Sequence, residues 1–203
     1  MRNLTMMTDL YQLTMMNGYY TTGTYKNESV FDVFFRQKGQ INYAVSAGLQ
    51  QAIEYINDLR FDDEDIAYLQ ELALFDDGFI DYLRNFRFTG DIYSVREGEI
   101  VFPGEPILTV KAPLIEAQLI ETALLNIVSH QTLIATKASR IVQAADGRKV
   151  VEFGLRRAQG PDAGIYGSRA SIIGGCSGTS NVLTAQMFSL EPKGTHSHSW
   201  VMS

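Results

Sequence analysis

The stretch KVVEFGLRRAQGPDAG, residues 149–164, sets the fold class that we expect for the second half of the chain. Its first part, KVVEFG, is a compact β-branched run, which is typical of a fully buried parallel strand. Pro161 and Asp162 then predict the first turn of a helix, and Gly174-Gly175 predicts its end. Strand, loop and helix in this order indicate a βα unit.

The same order of elements recurs toward the end of the sequence. Residues 176–180, CSGTS, lead into a predicted helix over 181–190, and residues 195–202, THSHSWVM, are interpreted as the next strand. Three βα-type units predict the start of an irregular (β/α) barrel, in which chemistry gathers at the carboxyl ends of the strands. A complete barrel takes about eight strands and roughly 250 residues. We therefore expect this chain to be part of a larger protein, or to need a second chain.

The first part of the sequence has the mixed pattern of an α+β domain. Apolar residues at helical spacing predict a helix over 44–60, and two shorter helices should follow. The acid pairs Asp62-Asp63 and Asp76-Asp77 are interpreted as the caps of these helices. Residues 29–35 and 90–113 carry β-rich runs, which glycines and prolines divide into hairpins.

From Leu114 onward the pattern changes to long helices, which predicts a domain boundary near residue 113. The expected fold class is α/β with an α+β N-terminal domain over 1–113. Linking helices and the first units of the barrel are expected over 114–203, truncated after the first strands.

Composition and charge narrow the class of protein. The chain has 203 residues, a formal net charge of −6 and an isoelectric point near 5.1, so we expect no nucleic acid partner. A local pair such as Arg156 and Arg157 can still bind a phosphate, because contact pairs escape salt screening. The single cysteine, Cys176, fits a reducing compartment, and no run reaches the roughly 18 apolar residues of a membrane span. We expect a cytoplasmic protein with no membrane contact.

Two histidines stand near the end of the sequence, among small hydroxyl residues. On a strand, His196 and His198 would point to the same side and could bind a metal, but a third ligand is lacking. His130 lies in an apolar helical context that favours a hydrogen-bonded core or capping role. A Ser-His-Asp triad would need a G-x-S-x-G elbow, which is missing, and the hydroxyls could simply satisfy backbone groups. Spacing leaves these alternatives open, and we predict no metal site.

Four motifs resemble the nicotinate phosphoribosyltransferase family in order and spacing. They are MTDLYQLTM at 7–15, EFGLRRAQGPDAG at 152–164, GGCSGTSNVLTA at 174–185 and GTHSHSWV at 194–201. The resemblance covers essentially the whole chain and stops near the middle of the family's catalytic domain. It implies the first step of pyridine-nucleotide salvage, in which nicotinate and phosphoribosyl pyrophosphate give nicotinate mononucleotide and pyrophosphate. ATP hydrolysis is coupled through a phosphohistidine, and Mg²⁺ accompanies the phosphate substrates.

The resemblance also implies roles for individual residues. The family motif G-T-x-x-H-S makes His198 the candidate phosphoryl acceptor, with Ser199 beside it and His196 in the variable slot. Tyr11 matches a tyrosine that stacks on the pyridine ring from a neighbouring subunit, and this implies a homodimer or a further assembly.

Four further positions match residues that contact the substrates in the family. Phe153 matches the aromatic residue on the other face of the pyridine ring. Arg156 matches the arginine that meets phosphoribosyl pyrophosphate, and Arg157 could act beside it or in its place. Thr195 matches a threonine that contacts nicotinate.

Ser180 bears on the choice of base. Related enzymes that use nicotinamide have an aspartate at this position, which would repel the carboxylate of nicotinate, so Ser180 favours nicotinate. The alternatives are a nicotinamide or quinolinate phosphoribosyltransferase. Quinolinate would require extra basic residues for its second carboxylate. Outside enzymes, the chain could be a catalytically incomplete fragment that only dimerises or binds a ring.

Overall fold

The computed structural model describes residues 3–37 and 41–203, and it contains both helices and strands. The strands are β1 (Glu28–Val33), β2 (Ala44–Val45), β3 (Asp91–Ser94), β4 (Ile100–Val101) and β5 (Leu108–Pro113). The helices are α1 (Leu10–Thr22), α2 (Leu49–Asn57), α3 (Asp63–Glu71), α4 (Asp77–Arg84), α5 (Leu114–Ala144), α6 (Pro161–Ile173), α7 (Val182–Met187) and α8 (His198–Met202).

The chain divides into two compact units. Among the described residues, the first unit holds 3–37, Leu49–Val95 and Pro103–Val128. The second unit holds 41–48, Arg96–Phe102 and Ser129–Ser203. The change from strand to long helix falls between Pro113 and Leu114, as expected, whereas the two units divide between Val128 and Ser129, within α5. The domain boundary near residue 113 stays a prediction.

A three-stranded antiparallel sheet forms one layer of the first unit, in the order β1-β5-β3. In β5, buried and half-buried residues alternate, so that Leu108, Val110 and Ala112 face the core. The β-rich runs at 29–35 and 90–113 were therefore predicted correctly. The expected hairpins differ in one respect, because β4 pairs with β2 rather than with β3 or β5.

Helices α1 to α4 and the first part of α5 supply the rest of the core of this unit. Phe79, Leu83 and Ile115 are almost fully buried there. An aromatic cluster surrounds Tyr82, whose ring centroid lies 5.7 Å from that of Tyr20 and 6.2 Å from that of Phe86. Burial raises the pKa of the Tyr82 hydroxyl to about 12, with a further contribution from Glu116.

The segment before β3 passes very close to β5. A Cβ atom placed on Gly90 would lie 2.3 Å from Cβ of Ala112 and 2.7 Å from the carbonyl oxygen of Lys111. The neighbouring Thr89 donates from its amide and its hydroxyl to the buried carboxylate of Glu116, at 2.6 and 2.9 Å. This approach leaves no room for a side chain at residue 90.

The two acid pairs have different roles. Asp62 caps α3 in a capping box, in which its side chain accepts from the amide of Asp65 at 3.0 Å, so this part of the prediction is confirmed. Asp76 occupies the N-cap position of α4, but its side chain makes no cap hydrogen bond. Its carboxylate accepts instead from the side-chain amide of Asn17, at 3.0 Å, and the prediction of a capping side chain was wrong there.

The predicted helix over 44–60 is shorter than expected. Residues 44–45 form β2, which pairs with β4, and the amide of Val45 donates to the hydroxyl of Thr136 at 2.9 Å. Gly48 has a φ of +108°, a conformation that a helix does not contain and that favours glycine. The chain therefore leaves β2 after Val45 and turns at Gly48, and α2 begins only at Leu49.

An ion pair with little solvent exposure lies in the second unit. The guanidinium of Arg169, on α6, donates to both carboxylate oxygens of Glu97, at 2.8 and 2.6 Å. The side chains of Arg169 and Glu97 are 14% and 18% exposed. The same guanidinium donates to Gln131 at 3.1 Å, and the carboxylate also accepts from the amide of Gly48 at 2.6 Å. Two fixed charges are thus held in a single geometry.

Three short segments of the second unit run parallel to one another, and we call them the parallel ladder. They comprise residues 150–152, 177–180 and 192–193, with parallel bridges from Glu152 to Thr179 and from Thr179 to Pro192. The amide of Glu152 donates to the carbonyl of Gly178 at 2.9 Å, and the amide of Lys193 donates to the carbonyl of Thr179 at 2.8 Å. Helix α6 follows the first segment and α7 the second, so the expected βα order is present.

Two details of the expected βα units were wrong. The run 149–154 is not fully buried, because it alternates half-buried and exposed residues, and Val151 and Phe153 are 37% and 49% exposed. Residues 195–202 do not form a strand. The third segment of the parallel ladder is residues 192–193, so the chain has already left the ladder when it reaches Thr195, and it then forms α8.

Helices α6 and α7 were predicted in the correct places. Pro161 occupies the first turn of α6 and Gly174 is its C-cap residue. Helix α7 ends at Met187, earlier than predicted, and Ser189 just beyond it has a φ of +54°.

His130 was interpreted as hydrogen-bonded, but its Nε2 is buried and has no hydrogen-bond partner within the described residues.

None of the helices in the described ranges is long and apolar enough to span a membrane.

Candidate functional site

A cavity of about 630 Å³ lies in the second unit, and we call it the imidazole cavity. Its lining residues come from the carboxyl ends of the three segments of the parallel ladder and from the residues that follow them: Phe153, Arg156, Ser180, Val182, Pro192, Lys193, Gly194, Thr195, His196, Ser197 and His198. Parallel segments deliver their carboxyl ends to one edge, which explains why loops far apart in sequence meet there.

The first loop presents Phe153 and Arg156. Phe153 directly follows the first ladder segment, and its side chain is 49% exposed. Residues Leu155–Arg157 form a single 3-10 turn, closed by the amide of Arg157 on the carbonyl of Gly154 at 2.8 Å. Arg156 lines the cavity, whereas Arg157 is exposed and is not among the described residues that line it. Of these two neighbouring arginines, Arg156 is therefore the one that the described cavity includes.

The second loop presents Ser180 at the start of α7. Asn181 is the N-cap residue of this helix, and its side-chain oxygen accepts from the amide of Thr184 at 3.2 Å. The side-chain amide of Asn181 donates to the carbonyl of Gly164 on α6, also at 3.2 Å. Because Asn181 is buried and bonded on both sides, the half-buried Ser180 next to it is held in place.

The third loop carries Thr195 and the two imidazoles. His196 and His198 both line the cavity and are exposed, with His198 at the first position of α8. The hydroxyl of Ser199 lies 2.6 Å from that of Ser197. Ser197 lines the cavity, but Ser199 is not among its lining residues in the described chain.

The fixed charges that line the cavity are positive. Arg156 and Lys193 supply them, and no aspartate or glutamate occurs among the described lining residues. Lys193 forms an ion pair with Glu191, which lowers the pKa of the Glu191 carboxyl. Within residues 3–37 and 41–203, no group of three or more histidine, cysteine, aspartate or glutamate side chains could hold a metal ion. The chemistry of the cavity therefore suits an anionic organic ligand.

Tyr11 belongs to the first unit, where it lies near the start of α1 and is 51% exposed. Its hydroxyl accepts from the side-chain amide of Gln12 at 2.8 Å. Desolvation, together with the carboxylates of Glu121 and Asp9, raises the pKa of the Tyr11 hydroxyl. Leu10 and Met15 on the same helix are also exposed, so Tyr11 is part of an apolar surface of this unit.

Glu152 was not predicted as a site residue, although it lies between two of the loops described above. Its carboxylate accepts from the hydroxyls of Ser168 and Thr179, at 2.8 and 2.6 Å, and from the amide of Gly154. The signal in the sequence was a single acid inside the apolar run KVVEFG. A half-buried carboxylate in such a run needs several donors, which only the folded chain shows.

Comparison with known proteins identifies the family. Residues 6–129 match the model of the nicotinate phosphoribosyltransferase (NAPRTase) N-terminal domain, which is more than half of the chain. The chain belongs to the nicotinate phosphoribosyltransferase family. It is 50% identical to the nicotinate phosphoribosyltransferase of Bacillus subtilis over 202 residues, which are 99% of this chain and 41% of that protein. The predicted family membership is therefore confirmed.

Solved structures agree with this assignment. The crystal structure of human nicotinic acid phosphoribosyltransferase superposes with a TM-score of 0.89 at 38% identity, and covers 96% of this chain and 40% of the human one. Nicotinate-nucleotide pyrophosphorylase from Pyrococcus furiosus has a TM-score of 0.78 at 25% identity, with 98% and 44% covered. The chain thus has the mixed α/β fold of the N-terminal portion of a nicotinate phosphoribosyltransferase, and spans about two fifths of the length of these relatives.

Proposed function

We propose that the full-length protein is an enzyme that forms nicotinate mononucleotide from nicotinate and phosphoribosyl pyrophosphate. The observation that carries the proposal is the lining of the imidazole cavity. An exposed aromatic ring, a guanidinium, three hydroxyls and two imidazoles converge there from three separate parts of the chain. These are the groups needed to bind an aromatic carboxylate beside a phosphorylated sugar. Family membership supports the same activity, and we propose a role for it in NAD salvage.

The nicotinate ring would stack on Phe153, whose exposed face lines the cavity. An aromatic pair of this kind contributes about 0.5–1.5 kcal/mol beyond the burial of its area. The hydroxyls of Ser180 and Thr195 line the same space and can donate to the nicotinate carboxylate. With no acid among the described lining residues, the cavity favours this carboxylate over the neutral amide of nicotinamide.

Arg156 would bind the phosphates of phosphoribosyl pyrophosphate, because its planar guanidinium matches pairs of phosphate oxygens. The ring nitrogen of nicotinate then attacks the anomeric carbon of the sugar, and the bond from that carbon to pyrophosphate breaks. Arg157 and Ser199 stay predictions as further substrate contacts, since neither is among the described residues that line the cavity.

His198 would accept a phosphoryl group from ATP. A ring nitrogen of its neutral imidazole forms the new bond to phosphorus, and the bond from phosphorus to the ADP oxygen breaks. The exposed position of His198 on the cavity that Arg156 also lines supports this role. ATP and phosphoribosyl pyrophosphate are substrates here, and we propose that Mg²⁺ enters with their phosphates.

The proposal extends to the architecture of the whole protein. The parallel ladder, with α6 and α7 following its first two segments, supports the start of a (β/α) barrel that the remaining part of the protein would complete. The exposed apolar surface around Tyr11 supports a homodimer in which this tyrosine stacks on the base in the partner's site. We place the enzyme in the cytoplasm, in keeping with its single, buried cysteine.

The test is a substrate comparison on the full-length protein. Labelled nicotinate, nicotinamide and quinolinate are each supplied with phosphoribosyl pyrophosphate and Mg²⁺, with and without ATP, and the nucleotide products are separated. We expect nicotinate mononucleotide, formed faster when ATP is present. Preference for nicotinamide or quinolinate would establish one of the alternative activities, and binding without any product would support a protein that only binds a ring.

A further inference from the structure

Glu152 joins the two loops that carry Phe153 and Ser180. One oxygen of its carboxylate accepts from the amide of Gly154, which directly follows Phe153. The other oxygen accepts from the hydroxyl of Thr179, which directly precedes Ser180, at 2.6 Å. The Glu152 side chain therefore binds the residue next to Phe153 and the residue next to Ser180.

The backbone of Glu152 strengthens the same connection. Its amide donates to the carbonyl of Gly178 at 2.9 Å, and its carbonyl accepts from the amide of Ser180 at 3.0 Å. The carboxylate lies so close to Gly154 that a Cβ atom there would be 2.8 Å from Oε1. The turn that begins at Gly154 and presents Arg156 is thus packed directly on this carboxylate.

A third donor connects Glu152 to a helix rather than to a loop. The hydroxyl of Ser168, on α6, lies 2.8 Å from Oε2. Glu152 itself is not among the described residues that line the imidazole cavity. Any effect that it has on a ligand must therefore act through the residues that it holds.

We propose that Glu152 is a positioning residue, which fixes Phe153 and Arg156 relative to Ser180 so that the base and the phosphorylated sugar meet in the correct geometry. This inference rests on the proposed function. Small displacements at such a site matter, because a shift of about 1 Å can lower a rate roughly 100-fold. A bond made only to α6 would contribute to folding without setting the distance between the two loops.

The test uses four variants of the full-length protein. Glu152→Ala removes all three acceptor contacts, and Glu152→Gln keeps an oxygen for Gly154 and an amide that can donate to Ser168. Thr179→Val cuts the contact between the loops at nearly constant size, and also removes the acceptor of the Asn181 amide. Ser168→Ala cuts the contact to α6 and leaves the contact between the loops in place. We expect kcat/KM to fall by about 100-fold in Glu152→Ala, through kcat as well as through KM for nicotinate, and by less than about tenfold in Glu152→Gln. Thr179→Val should raise KM, whereas Ser168→Ala should change only the melting temperature.

Hydrogen exchange of the Gly154 amide, measured without substrates, reports on its hydrogen bond to the Glu152 carboxylate. Because this measurement does not depend on turnover, it separates this inference from the proposed function. Exchange should be faster in Glu152→Ala than in the natural protein, and unchanged in Ser168→Ala. Equal exchange rates in Glu152→Ala and the natural protein would overturn the inference, whatever the turnover. So would a KM effect of Ser168→Ala as large as that of Thr179→Val. Absence of nicotinate mononucleotide with the natural protein, by contrast, would overturn the proposed function.

Discussion

His196 and His198 line the same cavity but occupy different backbone positions. His198 is the first residue of α8, whereas His196 precedes Ser197, the N-cap residue of that helix. Both imidazoles are exposed, so neither contributes to a core. Loss of either side chain should therefore leave the stability of the fold almost unchanged.

We predict that His198→Ala removes both the stimulation by ATP and the acid-labile phosphate from the full-length protein. His196→Ala is the matched control, because it removes an imidazole from the same cavity and should leave labelling nearly unchanged. The measurement is incorporation of labelled γ-phosphate from ATP, beside a melting curve for each variant. Labelling that persists in His198→Ala would contradict the proposal that His198 is the phosphoryl acceptor.

We predict that Ser180→Asp weakens binding of nicotinate by roughly 100-fold, since like charges placed in contact cost several kcal/mol. Ser180→Asn is the control, because it adds similar bulk without charge and should retain most of the affinity. Titration calorimetry with nicotinate and with nicotinamide measures both variants. If the two ligands kept their order of affinity in Ser180→Asp, another residue would select the base.

At this scale, five of the eight residues proposed from motifs line the cavity, whereas Tyr11, Arg157 and Ser199 are not among its described lining residues, and the role of each stays a prediction. Phe153, Arg156, Ser180, Thr195 and His198 were all proposed from motifs, and all five line one cavity. Glu152 stands in the same motif as Phe153 and was not proposed. Its contacts involve donors 16 and 27 residues away, and such partners are known only when the chain is folded.

At the scale of secondary structure, the glycine before β3 has no space for a side chain, whereas the glycine within α1 has ample space. Gly90 lies against the backbone of β5, whereas a Cβ atom on Gly18, inside α1, would meet nothing within 4 Å. A methyl group at Gly90 must therefore displace main-chain atoms. At Gly18 the same methyl group would only reduce the freedom of the unfolded chain.

We predict that Gly90→Ala lowers the free energy of unfolding by about 1–3 kcal/mol or more, since the strand cannot yield as a flexible side chain would. Gly18→Ala should raise it by about 0.5–1 kcal/mol. Urea unfolding followed by circular dichroism measures both. Equal stability of the Gly90→Ala variant and the natural protein would show that β5 moves away from residue 90.

Elements marked by local chemistry were predicted well, and elements that depend on distant partners were not. Pro161 and Gly174 delimit α6, and the capping box at Asp62 begins α3, because these signals act within a few residues. The run THSHSWVM has the composition of a strand, but a strand needs a neighbour to pair with. Residues 192–193 already pair with Thr179, so the later residues take a different conformation.

At the scale of the whole molecule, the charge of the chain and the charge of its cavity differ in sign. The formal net charge is −6, yet Arg156 and Lys193 are the fixed charges on the described lining. Screening limits the average field to about 8–10 Å at physiological salt, so the local cations govern the last approach of an anionic ligand. The average charge excluded nucleic acid as an expected partner without excluding small phosphates.

We predict that the active site of the full-length enzyme is shared between two subunits. Tyr11→Ala and Arg156→Ala should each be nearly inactive, yet an equal mixture, after subunit exchange, should recover about a quarter of the natural activity. Half of all dimers in the mixture then carry one variant of each kind, and one of the two sites in each of these dimers is intact. A mixture of Arg156→Ala with Phe153→Ala is the control and should stay inactive. Failure to recover activity, or a monomer in sedimentation, would contradict the shared site.

The ion pair between Arg169 and Glu97 has a consequence for how this sequence can evolve. Loss of either residue alone leaves a poorly hydrated charge without its partner, at a cost of about 3–5 kcal/mol, which is a large part of the stability of most domains. Replacement of both by apolar residues of similar volume can be nearly neutral. A substitution at one of these positions therefore destabilises the protein until the other position is substituted as well. Relatives that differ here should differ at both positions, although 72 residues separate them in the chain.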